Sequence, residues 1–258
     1  MTPADGAEAA DASCRPDPTE FIRANMRIAP VPSLPEIRLY TPHPASGLRR
    51  LTDPQQSSDA DDDTIEADDH TDGDGPEPQP PYWAYVWAGG AVLARHILDH
   101  PQTVAGRRVL DLGAGSGLVG IAAAKAGANA VIAAEIDRNG VAALTLNAAA
   151  NGVVVAVIGA DITKGSPPAV DLVLAGDVFY GQEVADRVTP FLDRCLGAGI
   201  EVLVGDPGRA YLPRSRLHLL AEYKVPDFGE AKEAALKPSG AFPRGRWPIA
   251  MSRSLRLS

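Results

Sequence analysis

The sequence predicts an α/β protein with a doubly wound, mostly parallel sheet, and three observations predict it. From residue 88 onward apolar runs alternate with helix-patterned stretches, the runs are continuously hydrophobic, and a glycine cluster joins the first run to the helix after it. Alternating strands and helices lay the strands parallel, and strands apolar along their whole length are covered on both faces.

Each element has its own signal. AGGAVLARHILDH reads as a helix by its apolar spacing, and RRVLDLG as the first strand. LVGIAAAKAG is a helix closed by Gly127, since glycine tolerates the left-handed turn that ends helices. AVIAAE is the second strand, RNGVAALTLNAAANG a helix ending at Gly152, VVVAVIGAD the third strand and DLVLAGD the fourth. VADRVTPFLDRCLGAG is mostly helical, with Pro190 expected to break or kink it. IEVLVGD is the fifth strand, RSRLHLLAEY a last helix, and IAMSRSLRL a final antiparallel edge strand. Upstream, TEFIRANMRI reads as a short helix, and EIRLY, after Pro30, Pro32 and Pro35, as a short strand.

Composition divides the chain into a disordered leader (1–16), an N-terminal helix and strand (17–40), an acidic disordered insertion (41–81) and one catalytic-size domain (82–258). The net charge of -9 is local: residues 53 to 77 hold 11 of the 33 acidic residues and no Lys or Arg. Elsewhere the charges nearly balance, which argues against direct nucleic-acid binding. Two cysteines, Cys14 and Cys195, form neither a metal-ligand spacing nor a disulfide framework, so no metal is expected and a reducing compartment fits. With no signal-like start and no long apolar run, the expectation is a soluble, cytoplasmic monomer with no membrane association.

Glycines 115, 117 and 120 satisfy G-x-G-x-x-G, which alone does not separate nucleotide phosphate, dinucleotide and S-adenosylmethionine. Asp111 decides more. It closes the first strand two residues before Gly113, where a carboxylate at the mouth of the sheet repels a pyrophosphate but suits the ammonium and sulfonium of S-adenosylmethionine. No Gly-Lys-Ser/Thr follows, so the Walker A reading fails. Glu135 ends the second strand at the distance expected for an acid that accepts from ribose hydroxyls, and Asp161 ends the third, beside the adenine, unless it is only a turn residue. Gly113, Gly115, Gly117, Asp111, Glu135 and Asp161 are the expected cofactor site.

The fourth strand neighbours the first across the switch point of a Rossmann-like sheet and runs into Asp177-Val178-Phe179-Tyr180. Asp177 and Tyr180 are the expected catalytic pair: the carboxylate positions an acceptor amine, and the aromatic ring favours the cation and excludes water. Phe179 is expected at the substrate, against the simpler alternative of core packing. Trp87, next to Gly89 and Gly90, is expected to wall the cofactor pocket. In the turn after the fifth strand, Asp206 and Arg209 are candidates for holding substrate, or for pairing with each other.

VLDLGAGSGLVGIAAAKAGA, AEID, GDVFY and GDPGRAYLP, with FIRANMRI, PEIRLY and PYWAYVWAGG upstream, closely resemble the electron-transfer flavoprotein beta-subunit lysine methyltransferases. The resemblance implies a seven-stranded, S-adenosylmethionine-dependent enzyme that methylates lysine side chains on a protein. It places the 177–180 motif at the acceptor and Asp111, Gly113 and Glu135 at the cofactor. The implied partner is the flavoprotein beta subunit, with a ribosomal protein as the nearest rival; a small-molecule N-methyltransferase and a non-catalytic cofactor-binding module are the other readings. The long acidic insertion, Glu135 where Asp is usual, and the tail after Pro226 depart from the family pattern.

Overall fold

The computed structural model describes residues 16–48, 51, 81–223 and 247–252, the last stretch by its backbone alone. The chain opens with α1 (Pro18–Asn25), whose N-cap Asp17 accepts from the amides of Thr19 and Glu20. The helix stops earlier than its sequence pattern predicts, because Met26 turns extended and starts a hairpin of β1 (Arg27–Val31) and β2 (Leu34–Thr41). β1 was illegible because it contains Pro30; a strand with only one partner tolerates a missing donor.

The main sheet follows the alternating pattern. In chain order come α2 (Ala88–Asp99), β3 (Arg108–Leu112), α3 (Leu118–Lys125), β4 (Ala130–Ala134), α4 (Arg138–Ala150), β5 (Ala156–Ile158), β6 (Leu172–Gly176), α5 (Gln182–Gly197) and β7 (Glu201–Gly205). β8 (His218–Tyr223) and β9 (Trp247–Ser252) complete it. The five strands β5-β4-β3-β6-β7 run parallel, and β9 and β8 continue the sheet in that order. β3 therefore lies between β4 and β6, and the crevice at its carboxyl end is the switch point where such sheets bind ligands.

Three expectations need correction. RSRLHLLAEY is not a helix: Arg214–Arg216 make one 3-10 turn and the rest is β8, since pairing with β9 overrides a locally ambiguous pattern. The antiparallel strand is not the edge: β9 runs antiparallel between β7 and β8. Pro190 does not break α5, whose 16 residues continue through it while Ala185, Val188, Phe191, Leu192 and Cys195 bury one face. That burial outweighs one lost backbone bond.

Two apolar layers sandwich the sheet. Successive residues of β3 point to opposite faces: Val109 joins Leu93, Ile97 and Ile121 on one side, and Leu110 joins Val173, Phe179 and Phe191 on the other. A third cluster seats Phe21, Ile22 and Met26 against Trp83, Ala143 and Leu146, fastening α1 to α4. The fully buried Asn147 joins three parts: its Oδ1 accepts from the Tyr40 amide at 2.7 Å and its Nδ2 donates to the Ser116 carbonyl at 2.9 Å. Residues 41–48 and Leu51, expected within a disordered insertion, belong to the fold. Ser46 Oγ accepts from the His43 amide and donates to the Asn25 carbonyl, and Leu51 is buried. Residues 49, 50 and 52–80 of that insertion, the leader up to residue 15 and the tail at 224–246 and 253–258 lie outside the described residues.

Candidate active site

After β3 the backbone turns through Gly113, Gly115 and Gly117 with φ of 67°, 52° and 82°, the left-handed region that strains other residues. Gly117 has a packing reason as well, since a Cβ there would sit 2.9 Å from Leu144 Cγ. Two buried carboxylates support the loop from behind. Asp111 Oδ2 accepts from the Gly120 amide at 2.7 Å, and burial pushes its carboxyl up to about 7. Glu135 Oε2 accepts from the Gly115 amide at 2.7 Å and its Oε1 from the Asp137 amide at 2.9 Å; burial raises its pKa too. Each oxygen keeps a lone pair for a further donor.

The opposite wall depends on glycines meeting glycines. The first turn of α2 lies directly on the ends of β6 and β7: a Cβ on Gly89 would overlap the Gly205 carbonyl oxygen and stand 2.8 Å from Asp177 Oδ2. A Cβ on Gly176 would lie 2.9 Å from Gly90 Cα. This approach lets the Gly90 amide donate to Asp177 Oδ2 at 2.7 Å. Asp177 is the one non-glycine with positive φ among the described residues, at 56°, a conformation held by its amide's bond to the Gly205 carbonyl at 2.9 Å. Such strain persists where the surroundings over-determine it, and it clusters at functional sites. Burial pushes the Asp177 carboxyl up to about 6, against the opposing pull of the Gly90 amide and Arg209.

Aromatic rings form the third wall. Tyr82 lies 5.8 Å from Trp87 and 5.6 Å from Tyr180, centroid to centroid, and Tyr85 lies 6.3 Å from Trp87. Trp87 Nε1 donates to the Tyr82 carbonyl at 2.7 Å, which fixes the indole. Tyr82 and Tyr180 are 42% and 49% exposed, so they stand at the rim. Trp83 faces away, buried against the fold.

The three walls border an open cleft lined by Tyr82, Tyr85, Trp87, Asp111, Asp177 and residues 113–116. Of the residues expected from sequence, it brings together Trp87, Asp111, Gly113, Gly115 and Asp177; Gly117 and Glu135 stand one layer behind, and Tyr180 at the rim beside Tyr82. Asp111 sits beneath the loop, bonded to α3, rather than free at the mouth.

Four candidates are placed differently. Phe179 is 1% exposed and packs into the core, so the packing alternative holds. Asp161 lies beyond the end of β5 and closes a turn on Thr163, whose amide and hydroxyl both donate to its Oδ1; Arg187 is 3.8 Å from its other oxygen. Those bonds hold its pKa low and away from the cleft lining. Asp206 is 1% exposed and shapes the turn after β7, its Oδ1 accepting from the amides of Gly208 and Arg209 at 2.6 and 2.7 Å. Arg209 reaches Asp177 Oδ1 with Nη2 at 3.0 Å, and its guanidinium carbon lies 5.9 Å above the Trp87 ring. Gly90, Tyr82 and Tyr85 were missed as site residues; the Gly-Gly pair after Trp87 was the signal for the first.

Residues 83–211, half of the chain, match the family model described as lysine methyltransferase. The electron transfer flavoprotein beta subunit lysine methyltransferase of Danio rerio is 39% identical over 168 residues, covering 63% of this chain and 65% of that protein. Its counterpart from Homo sapiens is 36% identical over 165 residues, covering 62% and 63%. The chain thus spans somewhat less than two thirds of the length of these relatives. Among solved structures, a ribosomal protein L11 methylase from Lactobacillus delbrueckii subsp. bulgaricus superposes with a TM-score of 0.45 at 22% identity, covering 63% of this chain and 77% of that one.

The family implies S-adenosylmethionine as methyl donor, and the residues present fit it. The cleft lining contains two carboxylates and three aromatic rings and no Lys or Arg, a donor set that favours a cation over a phosphate. The match over residues 83–211, with a cleft of that chemistry at the switch point, makes this chain a member of the lysine methyltransferase family.

Proposed function

We propose that the chain is an S-adenosylmethionine-dependent protein-lysine N-methyltransferase whose substrate is the electron transfer flavoprotein beta subunit. The observation that carries the activity is the buried Asp177 carboxylate, held by the Gly90 amide in a cleft that is otherwise aromatic and faces the glycine loop. The substrate follows the names of the relatives.

In this reading Asp111 and the backbone at Gly113 and Gly115 hold the amino-acid end of the cofactor, Glu135 the ribose, and Trp87 a wall of the pocket. When bound, the cofactor supplies an electrophilic methyl group on a cationic sulfur. The chain must deliver a neutral amine to it. Stripping the proton from an ordinary lysine at pH 7 costs about 4.6 kcal/mol. Desolvation among Tyr82, Trp87 and Tyr180 lowers that cost, while Asp177, which alone would favour the ammonium, accepts a hydrogen bond and aims the lone pair. The proton leaves to water at the rim, where the two tyrosines are half exposed.

We also place the enzyme in the cytoplasm as a monomer. The free Cys195 is buried, and burial pushes its thiol up to about 11. No helix among the described residues is long and apolar enough to cross a membrane.

The test is methyl transfer from labelled S-adenosylmethionine to the purified flavoprotein beta subunit and to a soluble extract, with Asp177→Asn as control and mass spectrometry of the product. One lysine-methylated protein, lost in the control, is expected. Methyl transfer to a small acceptor, or to arginine, would overturn the assignment.

A further inference from the structure

Arg209 touches both Asp177 and Trp87, two residues that line the cleft, yet does not line the cleft itself. Its position is set from its own turn. Asp206, nearly inaccessible, accepts from the Gly208 and Arg209 amides, and Gly208 bends at φ 88°. The side chain is therefore aimed before any substrate arrives. Asp177 is consequently held from two sides, with the Gly90 amide on Oδ2 and Arg209 on Oδ1.

The bond differs from the forked pair that Arg108 makes. Arg108 uses its fork on Asp171, Nε to Oδ2 at 3.2 Å and Nη2 to Oδ1 at 2.8 Å. Arg209 uses Nη2 on Asp177, and its Nε is buried with no hydrogen-bond partner. The guanidinium instead divides its faces between a carboxylate and an indole ring.

Resting on the methyltransferase reading, we infer that Arg209 is a positioning residue for the acceptor reaction. It holds Asp177 ionised and oriented and fixes the Trp87 wall, instead of contacting the substrate. The charged groups facing Asp177 are Arg209 and Asp206 from the turn after β7. α2 presents the Gly90 amide, β3 contributes the buried Asp111 across the cleft, and the segment before α2 contributes the phenols Tyr82 and Tyr85. Of these, Arg209 is the one cation. Its removal leaves the Gly90 amide alone to favour the ionised form against burial and the neighbouring Asp206 carboxylate.

The experiment reads Asp177 directly. In protein labelled with carbon-13 at the aspartate carboxyl, with the signal assigned by Asp177→Asn, the wild-type midpoint should lie above the usual aspartate range, at about 6. In Arg209→Ala the midpoint should move up by about one pH unit or more, and Arg209→Lys should return most of it. In the methyl-transfer assay Arg209→Ala should lose about tenfold or more in kcat with the acceptor KM little changed, and Arg209→Lys should recover part, lacking the planar face for Trp87. An unmoved midpoint would overturn the inference. So would a raised acceptor KM at unchanged kcat, which would make Arg209 a substrate contact. If the wild type transfers no methyl to lysine, the parent reading fails, and the titration alone still decides what Arg209 does to Asp177.

Discussion

Replacing Gly89 by alanine tests the contact on which the cleft is built, because two effects of opposite sign compete there. Gly89 lies in the first turn of α2, and alanine in a helix is favoured over glycine by about 1 kcal/mol. If the helix had room, Gly89→Ala would stabilise the protein. In the structure the new Cβ would overlap the Gly205 carbonyl oxygen, with the Gly205 carbonyl carbon at 2.7 Å and Asp177 Oδ2 at 2.8 Å. Two of those three atoms are backbone and cannot rotate away. The first turn of α2 must lift from β7, which stretches the 2.7 Å bond from the Gly90 amide to Asp177. Overpacking of this kind costs about 1–3 kcal/mol. Weakening a hydrogen bond to a buried charged group adds about 1.5–3 kcal/mol. After the helix-propensity gain the net cost is about 1.5–5 kcal/mol, a large part of the ~5–15 kcal/mol by which domains are stable. Urea denaturation read by tryptophan fluorescence should show a clearly lower midpoint, with Tm down by roughly 5–15 °C. Gly197→Ala, where a Cβ meets nothing within 4 Å, is the control and should be neutral or stabilising. A Gly89→Ala midpoint at or above the wild type would refute the close approach and the geometry drawn from it.

Four further outcomes are expected. Asp177→Asn keeps an acceptor for the Gly90 amide but loses the charge, so methyl transfer should fall by about 100-fold or more while calorimetry finds cofactor affinity within a few-fold of wild type. Burial lifts the Asp111 carboxyl from 3.8 to about 7, so the folded protein holds a proton that the unfolded chain has released, and stability drops as pH climbs through that window. The drop is at most about 4 kcal/mol; Asp111→Asn should flatten urea midpoints measured across it and weaken cofactor binding, whereas an unchanged pH profile would show that Asp111 is not the titrating group. Phe179→Ala should cost about 3–5 kcal/mol in urea unfolding, the signature of a core ring. Tyr180→Phe should retain most methyl transfer while Tyr180→Ala loses it, with acceptor KM as the readout; equal loss in both would assign the role to the hydroxyl.

How far the sequence reached follows from the range of each interaction. The strands β3 to β7 and the glycine loop were legible because their signals are local: apolar runs of strand length, and glycines where φ must be positive. Pro190 misled because a proline's local effect was weighed without the apolar face that α5 buries. LHLLAEY reads as a helix because nothing within it reveals a partner strand near residue 250. At the site, the identities of Asp111, Asp177 and Trp87 could be read, but their hydrogen bonds could not. Asp177 meets Gly90 across 87 residues and Arg209 across 32, pairings that exist only once the sheet has brought its strand ends together. Asp161 closes a turn on Thr163, as the ordinary preference of Asp for turns allows.

Asn147 bears on where this protein can be cut. The family match begins at residue 83, as though evolution inherits a unit that starts there. The unit that folds is larger. A chain beginning at Tyr82 would leave Asn147 Oδ1, fully buried in the intact protein, without the Tyr40 amide, and would uncover the faces of Trp83 and Leu146 that Phe21 and Ile22 now cover. Because the other arm of Asn147 holds the Ser116 carbonyl, the damage would reach the glycine loop itself. A fragment chosen by homology should therefore be less soluble and bind cofactor more weakly than one chosen by contacts, and residues from 17 onward belong in any engineered version of the protein.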